Sequence, residues 1–159
     1  MLICTYLLLI IAMAGIDQIS KYVIVTHVSL GQKIEIIKNF FNITYVRNYG
    51  AGFSILQNQK YFFYLIGVAA IIGFGYLLFK DKNNGLYKAA YLMIIGGTIG
   101  NLADRLTNVY VVDFLDFYIF GYDFPVFNFA DCFLTIGCFI LLICTLLEEK
   151  SAKNKSYRR

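Results

Sequence analysis

The sequence predicts an all-α membrane protein: a four-transmembrane-helix bundle carrying a small β-sheet and an extracytoplasmic loop at the outer membrane surface. Three observations predict it. Hydrophobic residues make up 59% of the 159 residues and charged residues only 15%, against roughly 25% charged in soluble domains. Four apolar runs reach the roughly 20 residues that a helix needs to cross the hydrocarbon core. Between the first two runs lies a segment whose apolar residues recur with period two, the strand period.

The chain reads as a single integral membrane domain, 1–159. The first span, about 2–25, is interrupted by Asp17 and Lys21. Its start, "MLICTYLLLIIAMAGIDQ", has the apolar core and small residues of a signal peptide but no basic leading region, so an uncleaved span is expected. An outer segment, 27–60, follows. In its "FFNITYV", Phe41, Ile43 and Tyr45 fall on one face, and Asn42 and Thr44 on the other. The second span, 61–79, has no charge, and the polar turn "KDKNNG" joins it to the third, 86–106, which is apolar as far as Asn101. A second outer loop, 107–127, leads to the fourth span, 128–147. A basic tail, 148–159, is expected to be disordered.

Four spans put both termini on one side. Lys80, Lys82, Lys88 and the tail residues Lys150, Lys153, Lys155, Arg158 and Arg159 mark that side as cytoplasmic. Lys21, Lys33, Lys38, Arg47 and Lys60 make the opposing bias incomplete. The formal charge of +4 fits a lysine-rich membrane flank rather than nucleic-acid binding. Cys4, Cys132, Cys138 and Cys144 lie in apolar runs without Cys-x-x-Cys spacing, and His27 is remote. They read as packing residues, with no metal site and no cofactor implied.

Parity gathers the polar residues at one depth, near the outer face: Asp17 and Lys21, Arg47 and Asn48, Asn101, Asp104 and Arg105, and Asp113, Asp116, Asp123 and Asp131. Each has a plainer reading. Asn128 and Asp131 have N-cap and first-turn spacing, where negative charge is favoured. Asp17 and Lys21 are four apart, the spacing of a simple salt bridge. Asp104 reads as half of a structural ion pair, with Arg105 or Lys21. Asn101 and Arg105 share a helix face. Asp116 and Asp123 read as solvated loop residues, Asp123 as a turn residue before Pro125. Gly96 and Gly100 form a Gly-x-x-x-Gly that lets another helix approach. The convergence of so many ionisable groups at membrane depth favours function. Two close carboxyl groups tend to share a proton. One then activates water while the other protonates a scissile carbonyl.

Five stretches carry a resemblance: "DQISK" (17–21), "RNYGAGF" (47–53), "GNLADR" (100–105), "VVDF" (111–114) and "FNFAD" (127–131). In this order, on four spans, they resemble the lipoprotein signal peptidase (signal peptidase II) family. The resemblance implies that Asp113 and Asp131 are a catalytic pair, and that Asn101, Arg105 and Asn128 support the pair and the substrate pocket. Asp17, Lys21 and Asn48 match further characteristic positions, and Asp104 matches with a structural role expected. One departure is Gly52, where the family reads alanine. The implied partners are diacylglyceryl-modified prolipoproteins, cut before the lipidated cysteine, and membrane lipid. The implied setting is a bacterial cytoplasmic membrane; the charge bias adds cytoplasmic termini, one chain holding a complete site fits a monomer, and the surface segment 40–53 is expected to close over substrate. The competing readings are a small proton-coupled transporter and a non-catalytic assembly subunit held by polar helix contacts.

Overall fold

A computed structural model describes residues 2–50, 56–80 and 85–157. The element order is α1 (Leu2–His27), β1 (Lys33–Ile37), β2 (Phe41–Asn48), α2 (Lys60–Lys80), α3 (Gly85–Asn108), β3 (Val111–Ile119), β4 (Tyr122–Asp123) and α4 (Phe129–Tyr157). Three helical stretches, Leu2–His27, Lys60–Lys80 and Phe129–Lys150, are long and apolar enough to cross a membrane. Their outward faces expose Leu8, Ile11, Leu65, Ile72, Phe139 and Leu142, an apolar surface far larger than water tolerates.

The third helix differs. α3 is as long as the others but carries Asn101, Asp104 and Arg105, and it packs against α1, α2 and α4 together. Its neighbours are protein on three sides, so it needs less apolar surface of its own. Glycines permit the close approach. A Cβ at Gly96 would meet Met13 of α1 at 2.9 Å, and one at Gly100 would meet Asp17 Oδ2 at 2.6 Å. Gly97, not singled out from the sequence, lies against the Ala130 carbonyl and Leu134 of α4. The Gly-x-x-x-Gly therefore packs α1 onto α3, and a third glycine packs α4.

The sheet is antiparallel, in the order β1-β2-β3-β4. Its two long strands pair Phe41 with Phe117, Val46 with Asp113 and Asn48 with Val111, with a bulge between Ile43 and Val46. The bulge breaks the alternation expected for β2, because Thr44 and Tyr45 are both buried. Thr44 compensates by donating its hydroxyl to the Gln32 carbonyl at 2.8 Å. Tyr45 joins a core with Ile24 and Val28 of α1 and Val112, Phe114 and Leu115 of β3.

The second outer segment is not simply a loop, since it supplies β3 and β4. Residues 111–116 are all buried, so no polar face marked the strand in the sequence. Two aspartates differ from expectation for the same reason. Asp123 is not the turn residue: the turn is Phe120–Gly121, both with positive φ, and Asp123 pairs with Tyr118. Two left-handed residues match the twist of a tight hairpin. Asp116 is not solvated but fully buried; Lys33 reaches it at 2.9 Å and Asn42 donates to it at 3.3 Å. Hydrogen bonds from Lys33 to Tyr118 and Asp116 hold that ammonium's pKa above its usual value. The tail expected to be disordered continues α4 to Tyr157. It has no glycine or proline stop, and Lys153 pairs with Glu149 one turn back.

Candidate active site

The bundle end beneath the sheet holds two groups of carboxylates, all buried except the half-buried Asp131. The first surrounds Lys21. Its ammonium lies 2.7 Å from Asp17 Oδ2 and 3.1 Å from Asp104 Oδ2, and donates to Asn101 Oδ1 at 3.1 Å. Asp17 also accepts the Ala130 backbone N–H at 2.9 Å, one of the donors that a helix start leaves without an intrahelical partner. Asp104 accepts from Gln18 at 2.8 Å and from the Val112 backbone N–H at 2.9 Å. It pairs with Lys21, not Arg105, and ties α3 to both α1 and β3. Gln18 was not picked out from the sequence, where a glutamine beside Asp17 carries no distinguishing signal.

The second group is Asp113 and Asp131. Asn128 caps α4: its Oδ1 accepts the Asp131 N–H at 3.0 Å, and Asp131 Oδ2 accepts the Asn128 N–H at 3.2 Å. This is the reciprocal pattern of a capping box. The plain capping reading is thus realised, yet it occupies only one oxygen of Asp131. The other accepts from the Asn101 amide at 2.7 Å. Asp113, on β3, accepts from the Asn128 amide at 2.6 Å and the Asn48 amide at 2.8 Å. Asn48 is oriented in turn by the Gly50 N–H, which bonds its Oδ1 at 2.9 Å. Burial first, and the negative charge of Asp131 second, push Asp113 up to about pKa 7, while the Asn48 and Asn128 amides pull the other way.

Both carboxylates open into a cavity of about 480 Å³ between α2, α3, α4 and the sheet. Asn48, Asn101 and Arg105 line its polar end; Ile66, Ala70, Ile94 and Leu134 line its apolar part, and Phe124–Phe127 form one wall. Arg105 crosses the mouth. Its guanidinium sits 4.5 Å from the Phe63 ring centre and donates to the Gly50 carbonyl at 2.9 Å. Tyr64 donates to the Arg105 carbonyl at 2.6 Å. Phe63 and Tyr64 were not anticipated, since "YFFY" reads only as the start of an apolar span. Every residue singled out for the pair and its surroundings therefore meets at one end of the bundle. Gly52 and the proposed closing segment beyond Gly50, to residue 53, lie outside the described residues. Among the described residues, no three His, Cys, Asp or Glu side chains are grouped to hold a metal ion.

The family described as signal peptidase (SPase) II matches residues 9–147. A lipoprotein signal peptidase of Lactiplantibacillus plantarum is 43% identical over 150 residues, covering 93% of this chain and 98% of its own. One from Staphylococcus aureus is 38% identical, covering 97% and 95%. A solved structure described as a bacterial membrane enzyme, at 2.3 Å resolution, superposes with a TM-score of 0.87 at 40% identity, over 95% of this chain and 92% of the other. A second, at 1.9 Å, gives 0.82 at 40% identity, over 91% and 94%.

Proposed function

The chain belongs to the signal peptidase II family, and on that premise we propose that it removes the signal peptide from prolipoproteins by aspartic catalysis, with Asp113 and Asp131 as the catalytic pair. The substrate is a prolipoprotein whose cysteine carries diacylglycerol, cut just before that cysteine.

The bundle spans the membrane four times. α3 has 24 residues, about 36 Å of helix, which exceeds a hydrocarbon core of roughly 30 Å. The reading of four spans with Lys80, Lys88, Lys150 and Lys153 at one end supports cytoplasmic termini and carboxylates near the outer face. The far end of the sheet exposes Ile36, Ile37, Phe40, Phe120 and Tyr122. The Tyr118 N–H bonds the Phe40 carbonyl, so both turns lie side by side, and this apolar edge rests in the outer interface. A lipid-bearing cysteine held there brings its scissile bond to the carboxylates. One chain supplies every group named, so a monomer suffices.

The chemistry follows from the unequal pair. Asp131, ionised, takes a proton from water, and the oxygen attacks the scissile carbonyl carbon. The Asp113 proton passes to the carbonyl oxygen, giving a tetrahedral diol. The proton on Asp131 then moves to the leaving amine of the cysteine as the C–N bond breaks, and a diol hydroxyl returns its proton to Asp113. Water and peptide become acid and amine, and both carboxyls regain their starting states. The Asn101, Asn48 and Asn128 amides hold the carboxylates in place, and Arg105 keeps Gly50 over the cavity mouth.

The observation that carries this reading is that the carboxyl groups of Asp113 and Asp131, each held by asparagine amides, line one cavity. The test is cleavage of a diacylglyceryl-modified prolipoprotein by purified protein in detergent. Asp113→Asn and Asp131→Asn, folded as wild type, should each lose about 10³-fold or more in rate. Either variant cutting near the wild-type rate would remove the pair from the mechanism.

A further inference from the structure

We propose that Lys21 is a positioning residue for this reaction: its ammonium sets the direction of the Asn101 amide, and that direction turns an N–H toward Asp131 and makes Asp131 the base of the pair. The inference rests on the reading of Asp113 and Asp131 given above.

Lys21 is 2% exposed, and its three ammonium hydrogens face Asp17 Oδ2, Asp104 Oδ2 and Asn101 Oδ1. An ammonium cannot accept a hydrogen bond, so only the oxygen end of the Asn101 amide fits against it. The NH2 end then faces Asp131 Oδ1 at 2.7 Å. A second donor, Asn128 Nδ2, also meets Asn101 Oδ1 at 3.1 Å. That nitrogen has two hydrogens for three acceptors, the nearest being Asp113 Oδ1 at 2.6 Å and the farthest the Val112 carbonyl at 3.4 Å. The charge-assisted bond from Lys21 is the stronger hold.

A reversed Asn101 would set its carbonyl oxygen against the Asp131 carboxylate. Two acceptors can share that contact only if Asp131 carries a proton. The pair would then hold its proton on the wrong partner, and the base would be lost. The charged groups around the pair are Lys21 and Asp17 from α1 and Asp104 and Arg105 from α3, so a test must leave their net charge unchanged.

The double variant K21Q/D104N does so, because it removes one acid and one base together. Its glutamine amide offers either end to Asn101. Kinetics with full-length protein and a lipidated peptide should show kcat reduced about 30-fold, KM within about 2-fold, and the acid limb of kcat/KM moved up by about one pH unit. K21R, whose guanidinium also only donates, should keep the wild-type acid limb whatever its kcat. In an N101A background, K21Q/D104N should cost no more than about a further 2-fold, because Lys21 acts through Asn101. A folded K21Q/D104N with wild-type kcat and acid limb overturns the proposal, as does a loss that adds in full to that of N101A. If K21Q/D104N does not fold, K21R decides: a shifted acid limb overturns the proposal and an unshifted one supports it. Asp113→Asn and Asp131→Asn are run in parallel. Activity in those variants sinks the reading of the pair itself, not merely the part played by Lys21.

Discussion

Two sets of carboxylates sit a few residues apart at the same end of this bundle, and they are neutralised differently. Asp17 and Asp104 share an ammonium, which lies within 3.1 Å of both. Asp113 and Asp131 receive only amide and backbone N–H groups and open into the cavity. A cation pairs with both members of the first set and makes it structural. Neutral donors hold the second in position without a neutralising charge, and burial and the charge of Asp131 push Asp113 up to about pKa 7 against the pull of the Asn48 and Asn128 amides. The difference teaches that burial alone does not make an aspartate chemical at this depth; the charge of its partners does.

The sharpest way to break that comparison is to exchange the consequences. Asp113→Asn should abolish cleavage while leaving the folded protein about as stable as wild type, since it replaces a carboxyl whose ionisation burial and Asp131 already oppose. Asp104→Ala should do the reverse: it strips a partner from buried Lys21 and leaves the Val112 N–H without its acceptor, at about 3–5 kcal/mol. The surviving folded fraction should still cut. Thermal unfolding in detergent beside initial rates reads both. If Asp113→Asn melts far below wild type, the two sets are not different in kind.

A pH titration of stability is a smaller but more specific test. Asp113 is raised from 3.8 to about 7, so between those values the native state binds a proton that the unfolded chain does not. The stability this supplies is complete below about pH 4 and is lost as the pH rises toward 7. Unfolding midpoints from pH 4 to 8 should therefore fall more steeply in wild type than in Asp113→Asn. Parallel slopes would show that Asp113 titrates like an ordinary carboxylate. Activity should fall with a limb near pH 7 as the Asp113 proton is lost.

How much of this was legible in the sequence follows the same division. The apolar runs and the carboxylates were legible, because lipid-facing surface and ionisable groups are visible in composition alone. β2 was half legible from Phe41, Ile43 and Tyr45, and β3 was not, because residues 111–116 are buried whether polar or apolar. Asp116 read as solvated because its partner Lys33 lies on a different strand. The direction of the Asn101 and Asn128 amides, which separates the two carboxylate sets, depends on a lysine 80 residues from Asn101 in the chain. No local pattern records it.

A surface carboxylate–ammonium pair marks the weak end of the scale. Glu149 and Lys153 approach to 2.6 Å, closer than the 2.7 Å between Asp17 and Lys21. By distance alone the surface pair would be the stronger. Its side chains are 58% and 70% exposed, however, and water competes for every charge. Lys153→Ala should therefore shift the unfolding midpoint by no more than about 1 °C, and added salt should erase even that. Lys21→Ala, which strands two buried carboxylates, should cost many times more and respond little to salt. Equal losses from the two variants would mean that proximity, not exclusion of water, governs these pairs, and the contrast between the two buried sets would then need another cause.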